Sequence, residues 1–539
     1  MEQAVTKAQE RGEATKGVCP PADPFWARLM LPRMADLVFL VIFCALVFTP
    51  WPTRMLSDAG TGWHIRNGEH ILATHAVPHV DYFSYTAAGK AWFAWEWLYD
   101  IAIAGIHAIA GLNGTVVFTA LIIALTFALL FRTAAALSEN IFVSAALTFL
   151  TAACSSIHFL VRPHVLTWLF TLAWMVALRA IQEGRSRALY WLPPMMLVWA
   201  NVHGGFVIGL VLAGIFSLAN FWTYLTVSCP KKRRASGGLA RRFAGATVIS
   251  ALVTLANPYR VKLWAHLHEY LGSPFLMNTI LEFQSPDFHW LEMKFFAALL
   301  LITVISLALQ AGKIRALDLM LVMFSIYAGL YAARNVPLSA IILTLTVAPI
   351  AARALSELSK KQELNLTVRR YFVLLDSLNL RMSIVEGRLI GWALPVVVVI
   401  AVSVTAIHGG RIGSKQAMNA SFDENRLPVK AVNYVAASGV RTQMFAPDDW
   451  GGYLTYRMYP DFKVYIDDRH DFFGEPFVRE YMQAANAGPK WGAVLDRYSV
   501  NRVLIRADSP LAAVLEVAPG WKLVYRDSQA CIFMRSELK

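Results

Sequence analysis

Ser57-Asp-Ala-Gly-Thr-Gly-Trp-His-Ile-Arg-Asn-Gly-Glu69 is a polar sequence that follows the first apolar segment of the chain. It begins a block from Thr53 to Trp95 that is rich in ionisable side chains, whereas the rest of residues 1–400 is mostly apolar. The ionisable residues of this block include Asp58, His64, Arg66, Glu69, His70, His75, His79 and Asp81, with Glu96 at its far edge. Because ionisable groups between apolar segments are costly and tend to be functional, we expect the chemistry of the protein here.

The composition indicates a multi-pass membrane protein. Of 539 residues, 57% are hydrophobic and 16% are charged, whereas about 25% are charged in typical soluble domains. The net charge of +13 does not indicate nucleic-acid binding, because the basic residues cluster in short connectors such as Lys231–Arg234 and Arg369-Arg370. That clustering is typical of cytoplasmic loops. The five cysteines form no CxxC pair, so neither a zinc site nor a disulfide framework is predicted.

Apolar runs recur at lengths that suit a lipid bilayer, which takes about 20 residues of helix. The candidate spans are residues 35–52, 97–111, 115–131, 141–158, 165–181, 188–201, 204–226, 243–256, 295–310, 316–333, 337–354 and 389–408. We predict about 11 to 13 transmembrane helices, because several runs are short. The parity of the helices also requires that residues 97–111 re-enter without crossing, or that one segment is miscounted.

The basic connectors orient these helices. Those predicted to be cytoplasmic are Arg185–Arg187, Lys231–Arg242, Lys313–Arg315 and 353–388. We therefore predict a cytoplasmic and largely disordered N-terminus at 1–34, and a transmembrane domain at 35–410 with an extracytoplasmic loop at 53–96. Residues 411–539 are predicted to be extracytoplasmic.

Residues 411–539 have a globular composition and alternating helix and strand patterns. The helical patterns are at 429–437, 475–486 and 489–497, and the strand patterns are at 443–445, 462–466, 502–505, 522–525 and 530–533. This alternation predicts a small α/β domain with a mostly parallel sheet.

The layout resembles the GT-C superfamily of integral-membrane glycosyltransferases, which includes protein O-mannosyltransferases, aminoarabinose transferases of lipid A and the catalytic subunits of oligosaccharyltransferases. More closely, the chain is similar to a large bacterial family of GT-C-like, protein mannosyltransferase-like membrane proteins. The segments that carry the resemblance are Asp58–Glu69, Asp81–Thr86, Trp95–Leu98, Arg162–His164, Trp199–Phe206, Asn257–Tyr259, Glu282–Pro286, Arg334–Pro337, Trp450–Tyr453 and Val464–Arg469.

The resemblance implies a glycosyltransferase of the plasma (inner) membrane that works on its outer face. The donor would be a sugar on a polyprenyl phosphate, and the acceptor a glycan, lipid or protein of the cell envelope. Asp58 lies where the superfamily has its catalytic acid, and a single base that activates the acceptor fits inversion at the anomeric carbon. Asp58 is followed by Ala59 rather than by a second acid, which leaves a divalent cation compatible with the site but not required.

Each candidate site residue also has a structural interpretation. Asp58 is interpreted as the general base or as a helix cap, and Glu96 as an auxiliary acid or as an interfacial anchor between tryptophans. Arg162 and Arg334 are interpreted as phosphate contacts or as arginines that extend from helix ends to the interface. The substrate-binding candidates are His64, Arg66, Asp81, Arg162, His164, Asn201, His203, Glu282 and Arg334. Two alternatives to glycosyl transfer are a flippase for a lipid-linked sugar and a non-catalytic scaffold of envelope assembly.

Overall fold

A computed structural model describes residues 24–360, 365–439 and 442–536. Most of the predicted N-terminal segment, residues 1–23, lies outside these ranges. The described chain is mainly helical, with a four-stranded sheet and a two-stranded sheet near its C-terminus.

The helices up to residue 407 build the apolar part of the protein. They are α1 Phe25–Met30, α2 Met34–Phe48, α3 Trp51–Met55, α4 Gly60–Thr74, α5 Trp97–Ser138, α6 Ile141–Ser155, α7 His164–Gln182, α8 Leu192–Val202, α9 Val207–Thr226, α10 Pro230–Val253, α11 Lys262–Gly272, α12 Pro274–Thr279, α13 Leu291–Leu309, α14 Ala316–Tyr331, α15 Val336–Ser359, α16 Leu366–Arg388 and α17 Ala393–Ile407. Short 3₁₀ turns lie at Ser156–His158, Ser186–Trp191, Gly204–Phe206, Leu281–Phe283 and Ala333–Asn335.

The structure supports the membrane class with fewer full-length spans than we predict from the sequence. Six helices among the described residues are long and apolar enough to cross a bilayer, or seven if α16 and α17, bent by 68°, count as one broken span. The expected number of about 11 to 13 is larger because several apolar runs form shorter or broken helices. Met34–Phe48 and Ala316–Tyr331 are apolar but short, and the run 188–201 is a 3₁₀ turn followed by the 11-residue α8.

The helix α5 accounts for the parity problem in the predicted topology. The runs 97–111 and 115–131 form one helix, broken at Gly111, which has φ 57° and ψ −153°. The part before the break lies against the C-terminal region, where His107 Nε2 is 3.0 Å from the hydroxyl of Tyr456. Just after the break, Asn113 accepts a hydrogen bond from the backbone N–H of Ala420 at 2.9 Å. The two runs therefore contribute one crossing instead of two.

Several predicted cytoplasmic connectors meet at the end of the helix bundle opposite Asp58. Asn379 donates to the carbonyl of Glu139, and Lys313 lies 2.8 Å from Glu357. The helix α6 leads from this end to His158, whose Nε2 is 3.3 Å from the carbonyl of Ala333. The grouping fits the positive-inside pattern, in which basic connectors share one side of the membrane.

The C-terminal region combines short helices with the four-stranded sheet. Its elements are β1 Arg411–Ile412, β2 Lys415–Gln416, α18 Val429–Ala437, β3 Met444–Phe445, α19 Asp448–Met458, α20 His470–Phe473, α21 Glu475–Ala485, α22 Trp491–Arg497, β4 Arg502–Arg506, α23 Pro510–Val517, β5 Trp521–Arg526 and β6 Ala530–Arg535. The sheet order is β3-β4-β6-β5, with only β3 and β4 parallel.

The sheet differs in two respects from the mostly parallel one expected. The strands β5 and β6 form an antiparallel hairpin, because only a short turn connects them. The expected strand 462–466 is outside the sheet, since Val464 pairs with Ser84 of the 53–96 loop instead. Its backbone N–H donates to the carbonyl of Phe83 at 3.0 Å, and its carbonyl accepts from Tyr85 at 3.1 Å. The segment thereby joins the C-terminal region to the first loop.

Two helices from these regions also pack backbone to backbone. A Cβ on Gly62 of α4 would lie 2.2 Å from the carbonyl oxygen of Gly452 on α19, and a Cβ on Gly452 would lie 2.3 Å from the carbonyl oxygen of Ala59. Only glycine allows this approach, because a methyl group on either side would overlap the facing backbone. The motif Trp450–Tyr453 therefore has a packing role.

Replacing Gly452 with alanine should weaken the docking of α19 on α4. The added methyl group has no space, so we expect a loss of about 1–3 kcal/mol in the free energy of unfolding. The matched control is Gly492→Ala in α22, where a Cβ meets nothing within 4 Å. Thermal unfolding of the detergent-purified variants measures both, and equal melting temperatures would contradict the close packing.

Candidate functional site

A cavity of about 1090 Å³ lies where the first loop, the ends of several helices and the C-terminal region meet. Its polar wall includes Asp58, Glu96, Arg162, Arg334 and Asp468. Its apolar wall includes Val207, Ile208, Val211, Leu271, Trp290, Tyr331 and Leu338. Val211, Tyr331 and Trp290 are also 38–55% exposed on the outside of the bundle. The cavity therefore extends from ionisable groups to the lipid-facing surface.

The guanidinium of Arg162 lies between two carboxylates at the polar end of the cavity. Its Nη1 donates to Asp58 Oδ1 and to Asp468 Oδ2, both at 2.9 Å. Asp58 Oδ1 also accepts from the backbone N–H of Gly60 at 2.8 Å, so this carboxylate has a local structural role at the start of α4 as well. A Cβ on Gly60 would lie 1.6 Å from Arg162 Nη1. The glycine after Ala59 is thus what makes room for the guanidinium.

Asp58 keeps one carboxylate oxygen free for a ligand, beside the charged guanidinium of Arg162. Asp58 Oδ2 accepts no hydrogen bond from a described residue, and the side chain is 31% exposed. Burial raises the pKa of Asp58, whereas the charge of Arg162 opposes that rise. Burial alone would lower the pKa of Arg162, but Asp58 and Asp468 raise it, so the guanidinium stays charged.

Glu96 lies between two histidines on the wall beside Arg162. Its Oε2 is 3.6 Å from His64 Nε2, and its Oε1 is 3.6 Å from His203 Nε2. Burial raises the pKa of Glu96 to about 8. On its other side His64 Nδ1 lies 2.6 Å from Asp100 Oδ1. Burial also lowers the pKa of His64 well below its usual range, so this histidine is neutral.

Arg334 forms a second cationic centre in the same cavity. Its guanidinium lies 4.4 Å from the ring centroid of Phe283 and 3.7 Å from Glu282 Oε1, and it donates to the hydroxyl of Tyr270 at 3.4 Å. Nearby, His164 Nε2 is 2.8 Å from the carbonyl of His158. Two arginines thus line one cavity that continues into an apolar channel.

The loop Asp467-Asp-Arg-His-Asp471 closes the cavity from the C-terminal region. Trp63 donates to Asp468 at 2.8 Å, and Arg469 donates to Asp81 at 2.8 Å and to Asp467. His470 Nε2 lies 2.6 Å from Asp448, and Asp471 lies 3.0 Å from His266. Every residue of the loop therefore has a charged or polar partner. Asp468, Arg469 and Asp471 have partners outside the C-terminal region.

Four sequence candidates are absent from the cavity lining: the fully buried His64 behind Glu96, and three residues whose hydrogen bonds are as follows. Arg66 donates to the carbonyl of Tyr456 and to Glu69. The buried Asp81 binds Arg469 and Ser84. Asn201 donates to the carbonyl of Ala256 and accepts from Trp97. The hydrogen bonds of these three are satisfied within the fold, so the structure gives them positions that support the site without reaching it.

Several cavity residues were not among the sequence candidates. Asp468, His470 and Asp471 belong to the charged turn after the predicted strand 462–466, for which the sequence left open a sugar or cation site or a salt-bridged loop. Asp100 stands one helical turn after Glu96 in an apolar run, which is an unusual place for a carboxylate. Arg506 and Asp449, which contact each other at the cavity, had no such signal.

The residues do not form a ligand set for a metal ion. Across residues 24–360, 365–439 and 442–536, no group of three or more His, Cys, Asp or Glu side chains is arranged to hold one. Between Asp58 and Asp468, where two carboxylates converge, the position is taken by the guanidinium of Arg162.

The fold is similar to that of an archaeal oligosaccharyltransferase from Archaeoglobus fulgidus. Its crystal structure tethered with an acceptor peptide containing the NVT sequon covers 93% of this chain and 73% of its own, with a TM-score of 0.51 and 11% identity. The apo form gives 94%, 74%, 0.50 and 11%. The complex of this enzyme, AglB, with an inhibitory peptide and a dolichol-phosphate gives 93%, 74%, 0.51 and 11%.

No protein-family model and no curated protein matches the sequence. The structural likeness nevertheless confirms the predicted fold class: a helical membrane domain similar in fold to this oligosaccharyltransferase, with a small C-terminal domain of helices and sheet. The narrower bacterial family stays a prediction.

The pair His470–Asp448 should make the docking of the C-terminal region depend on pH. Burial would lower the pKa of His470, but its hydrogen bond to Asp448 raises it, and the pKa of Asp448 is lowered by the same bond although burial opposes this. The stabilisation is therefore largest between about pH 4 and about pH 6.5 and is lost as the pH rises through the raised pKa of His470.

We expect the melting temperature of the wild type to fall relative to that of His470→Asn as the pH rises above about 6.5. Thermal unfolding at several pH values measures this difference. The exposed His268→Asn on α11 is the control. A constant difference between wild type and His470→Asn across the range would contradict a charged pair.

Proposed function

We propose that this protein is a membrane glycosyltransferase that moves a sugar from a polyprenyl-phosphate donor to an acceptor on the outer face of the plasma membrane. The observation that carries the proposal is one cavity that holds a carboxylate, two separated arginines and an apolar wall reaching the lipid-facing surface. The fold supports it, because structures of the similar oligosaccharyltransferase include one tethered with an acceptor peptide and one in complex with an inhibitory peptide and a dolichol-phosphate.

The polar and apolar walls suit the two halves of such a donor. The side chains of Val207, Ile208 and Val211 on α9, with Leu338 on α15, would contact the hydrocarbon chain. The phosphate would lie near Arg162 and Arg334, because guanidinium groups bind phosphate oxygens through paired hydrogen bonds. Arg162 uses only Nη1 for its two carboxylates, so its other N–H groups are available for this contact.

The transfer step needs a base for the acceptor and compensation for the leaving group. Asp58 Oδ2, free of hydrogen bonds from described residues, would take the proton of the acceptor hydroxyl. The acceptor oxygen then bonds to the anomeric carbon as the bond between that carbon and the phosphate oxygen breaks. The electron pair of the broken bond stays on the phosphate, where Arg162 and Arg334 offset the developing charge. Attack opposite the leaving phosphate inverts the configuration.

The proposed mechanism gives a role to the contact between Asp58 and Arg162. The guanidinium favours the ionised form of the carboxylate that must act as base, and opposes the effect of burial. Phosphate binding would draw part of the Arg162 charge toward the donor, which raises the basicity of Asp58 when a donor is present. The base would thus be most active with substrate bound.

Asp58→Asn should abolish transfer with the fold intact, because asparagine keeps the carbonyl oxygen that accepts from Gly60 but cannot take a proton. We expect a loss of about 100-fold or more in the rate. The assay incubates purified protein with labelled polyprenyl-phosphate sugars and an extract of envelope acceptors. The control is Asp508→Asn, an exposed residue of the C-terminal region.

Three outcomes separate the competing functions. Full transfer by a folded Asp58→Asn variant would rule out this residue as the base. Movement of the labelled lipid across proteoliposomes without release of sugar would favour a flippase. Binding of donor without transfer or movement, in the wild type, would favour a scaffold.

The proposed orientation has its own test. Lys490→Cys in the exposed C-terminal region should react with a membrane-impermeant maleimide in intact cells, because we expect that region outside. The exposed native Cys229 directly precedes the basic first turns of α10. It should react only after the membrane is permeabilised. The reverse pattern would place the cavity on the cytoplasmic face and overturn the orientation.

A further inference from the structure

The carboxyl group of Glu96 stands in a row with two imidazoles. Both separations, from Oε2 to His64 Nε2 and from Oε1 to His203 Nε2, are 3.6 Å. The side chain of His64 is fully buried, and those of Glu96 and His203 are 11% and 12% exposed. The positions of the hydrogens in this row decide whether Glu96 is charged.

The hydrogen bonds of His203 place its proton on the side of Glu96. Its Nδ1 accepts from the backbone N–H of Gly205 at 3.0 Å, and it is 2.9 Å from Thr167 Oγ1. That hydroxyl oxygen already accepts from Trp199 Nε1 at 2.9 Å, so its own hydrogen turns to His203. Because Nδ1 is an acceptor, the single ring hydrogen is on Nε2 and faces Glu96 Oε1.

The hydrogen bonds of His64 leave a bare nitrogen on the other side of Glu96. Tyr82 donates to Asn67 Oδ1 at 2.8 Å, and Asn67 Nδ2 donates to Asp100 Oδ2 at 2.6 Å. Asp100 Oδ2 is therefore an acceptor, and the short contacts of 2.6 Å to both of its oxygens suit an ionised carboxylate. With Asp100 ionised, His64 gives it the Nδ1 hydrogen. His64 Nε2 is then a buried acceptor with no hydrogen-bond partner among the described residues, and it faces Glu96 Oε2.

We infer that Glu96 holds a proton between His64 and His203, as a positioning residue that keeps this wall of the cavity free of negative charge for the phosphate of the donor. A protonated carboxyl suits both neighbours, because it can donate to His64 Nε2 and accept from His203 Nε2–H once the side chains move slightly closer than 3.6 Å. An ionised carboxylate offers His64 nothing. The identity of the anion as a lipid phosphate rests on the proposed function, whereas the protonation of Glu96 does not.

The surroundings of Glu96 are consistent with this assignment. Its pKa is raised to about 8, mainly by burial, with Arg162 and Arg334 opposing the rise and Asp471 and Asp468 adding to it. The ionisable groups that face it or act on it are His64, Tyr99, Asp100, Arg162, His203, Arg334, Asp468 and Asp471. The two arginines proposed to bind phosphate therefore share their field with Glu96, and a charge there would compete with the ligand.

Glu96→Gln is the most informative variant, because the glutamine amide is neutral and has nearly the shape of a protonated carboxyl group. Its amide oxygen accepts from His203 and its NH₂ donates to His64. The wild type should lose thermal stability relative to this variant as the pH rises from about 5 to about 8, since the folded state keeps a proton that the unfolded state releases near pH 4.3. Above about pH 8 the two melting curves should run parallel. The control is Glu269→Gln, which changes an exposed carboxylate on α11.

Binding of a dialkyl phosphate of medium chain length tests the consequence for the ligand. Such a diester carries one negative charge throughout the range used, so its own ionisation does not interfere. In the wild type its dissociation constant should rise roughly tenfold between about pH 7 and about pH 9.5. In Glu96→Gln it should stay nearly level. In the transfer assay the same change should appear in KM for the donor and not in kcat.

Other results would overturn the inference. A Glu96→Gln variant that is less stable than wild type by a constant amount between pH 6 and pH 9 would mean that Glu96 is ionised in the fold. An unchanged dissociation constant for the phosphate in the wild type would mean that Glu96 does not face the anion. Neither measurement needs turnover, so a protein that binds phosphate in this way and transfers no sugar would contradict the proposed function alone.

Discussion

The guanidinium of Arg162 is the constraint on which the site depends. It comes from the turn before α7, and it holds Asp58 of the first loop and Asp468 of the C-terminal region within one cluster. A buried cation with two carboxylates costs several kcal/mol in desolvation unless its partners are well placed. Its partners therefore have to be fixed, and the glycine at position 60, the close helices α4 and α19, and the Asp467–Asp471 loop all serve to fix them.

Further contacts hold the C-terminal region against the first loop and α11. Val464 adds a strand-like segment to the first loop, Arg469 reaches the buried Asp81, and His266 reaches Asp471. Removing one partner from such a buried pair costs about 3–5 kcal/mol, so the contacts resist separate movement of the two regions. The C-terminal region is consequently part of the wall of the cavity rather than an appended module.

The sequence predicts much of this protein where local pattern is strong. The helices of the C-terminal region and several of the apolar spans follow from local pattern. The sheet was less predictable, because the segment 462–466 looks like a strand whichever partner it pairs with. Asp58, Glu96, Arg162 and Arg334 were found as charges beside apolar runs. Asp468 and His266 needed contacts between residues hundreds of positions apart, which no local pattern encodes.

The two carboxyl groups that the sequence singled out are in opposite surroundings. Asp58 faces a cation and a backbone N–H, which favour its ionised form against burial. In the arrangement proposed for Glu96, one neighbour offers an N–H and the other a bare ring nitrogen, a pair that suits a protonated carboxyl. Environments that push two acids apart are how one site assigns a base and a neutral donor at one pH. The charge of Arg162 lowers the pKa of both acids, so the two respond to one common cation.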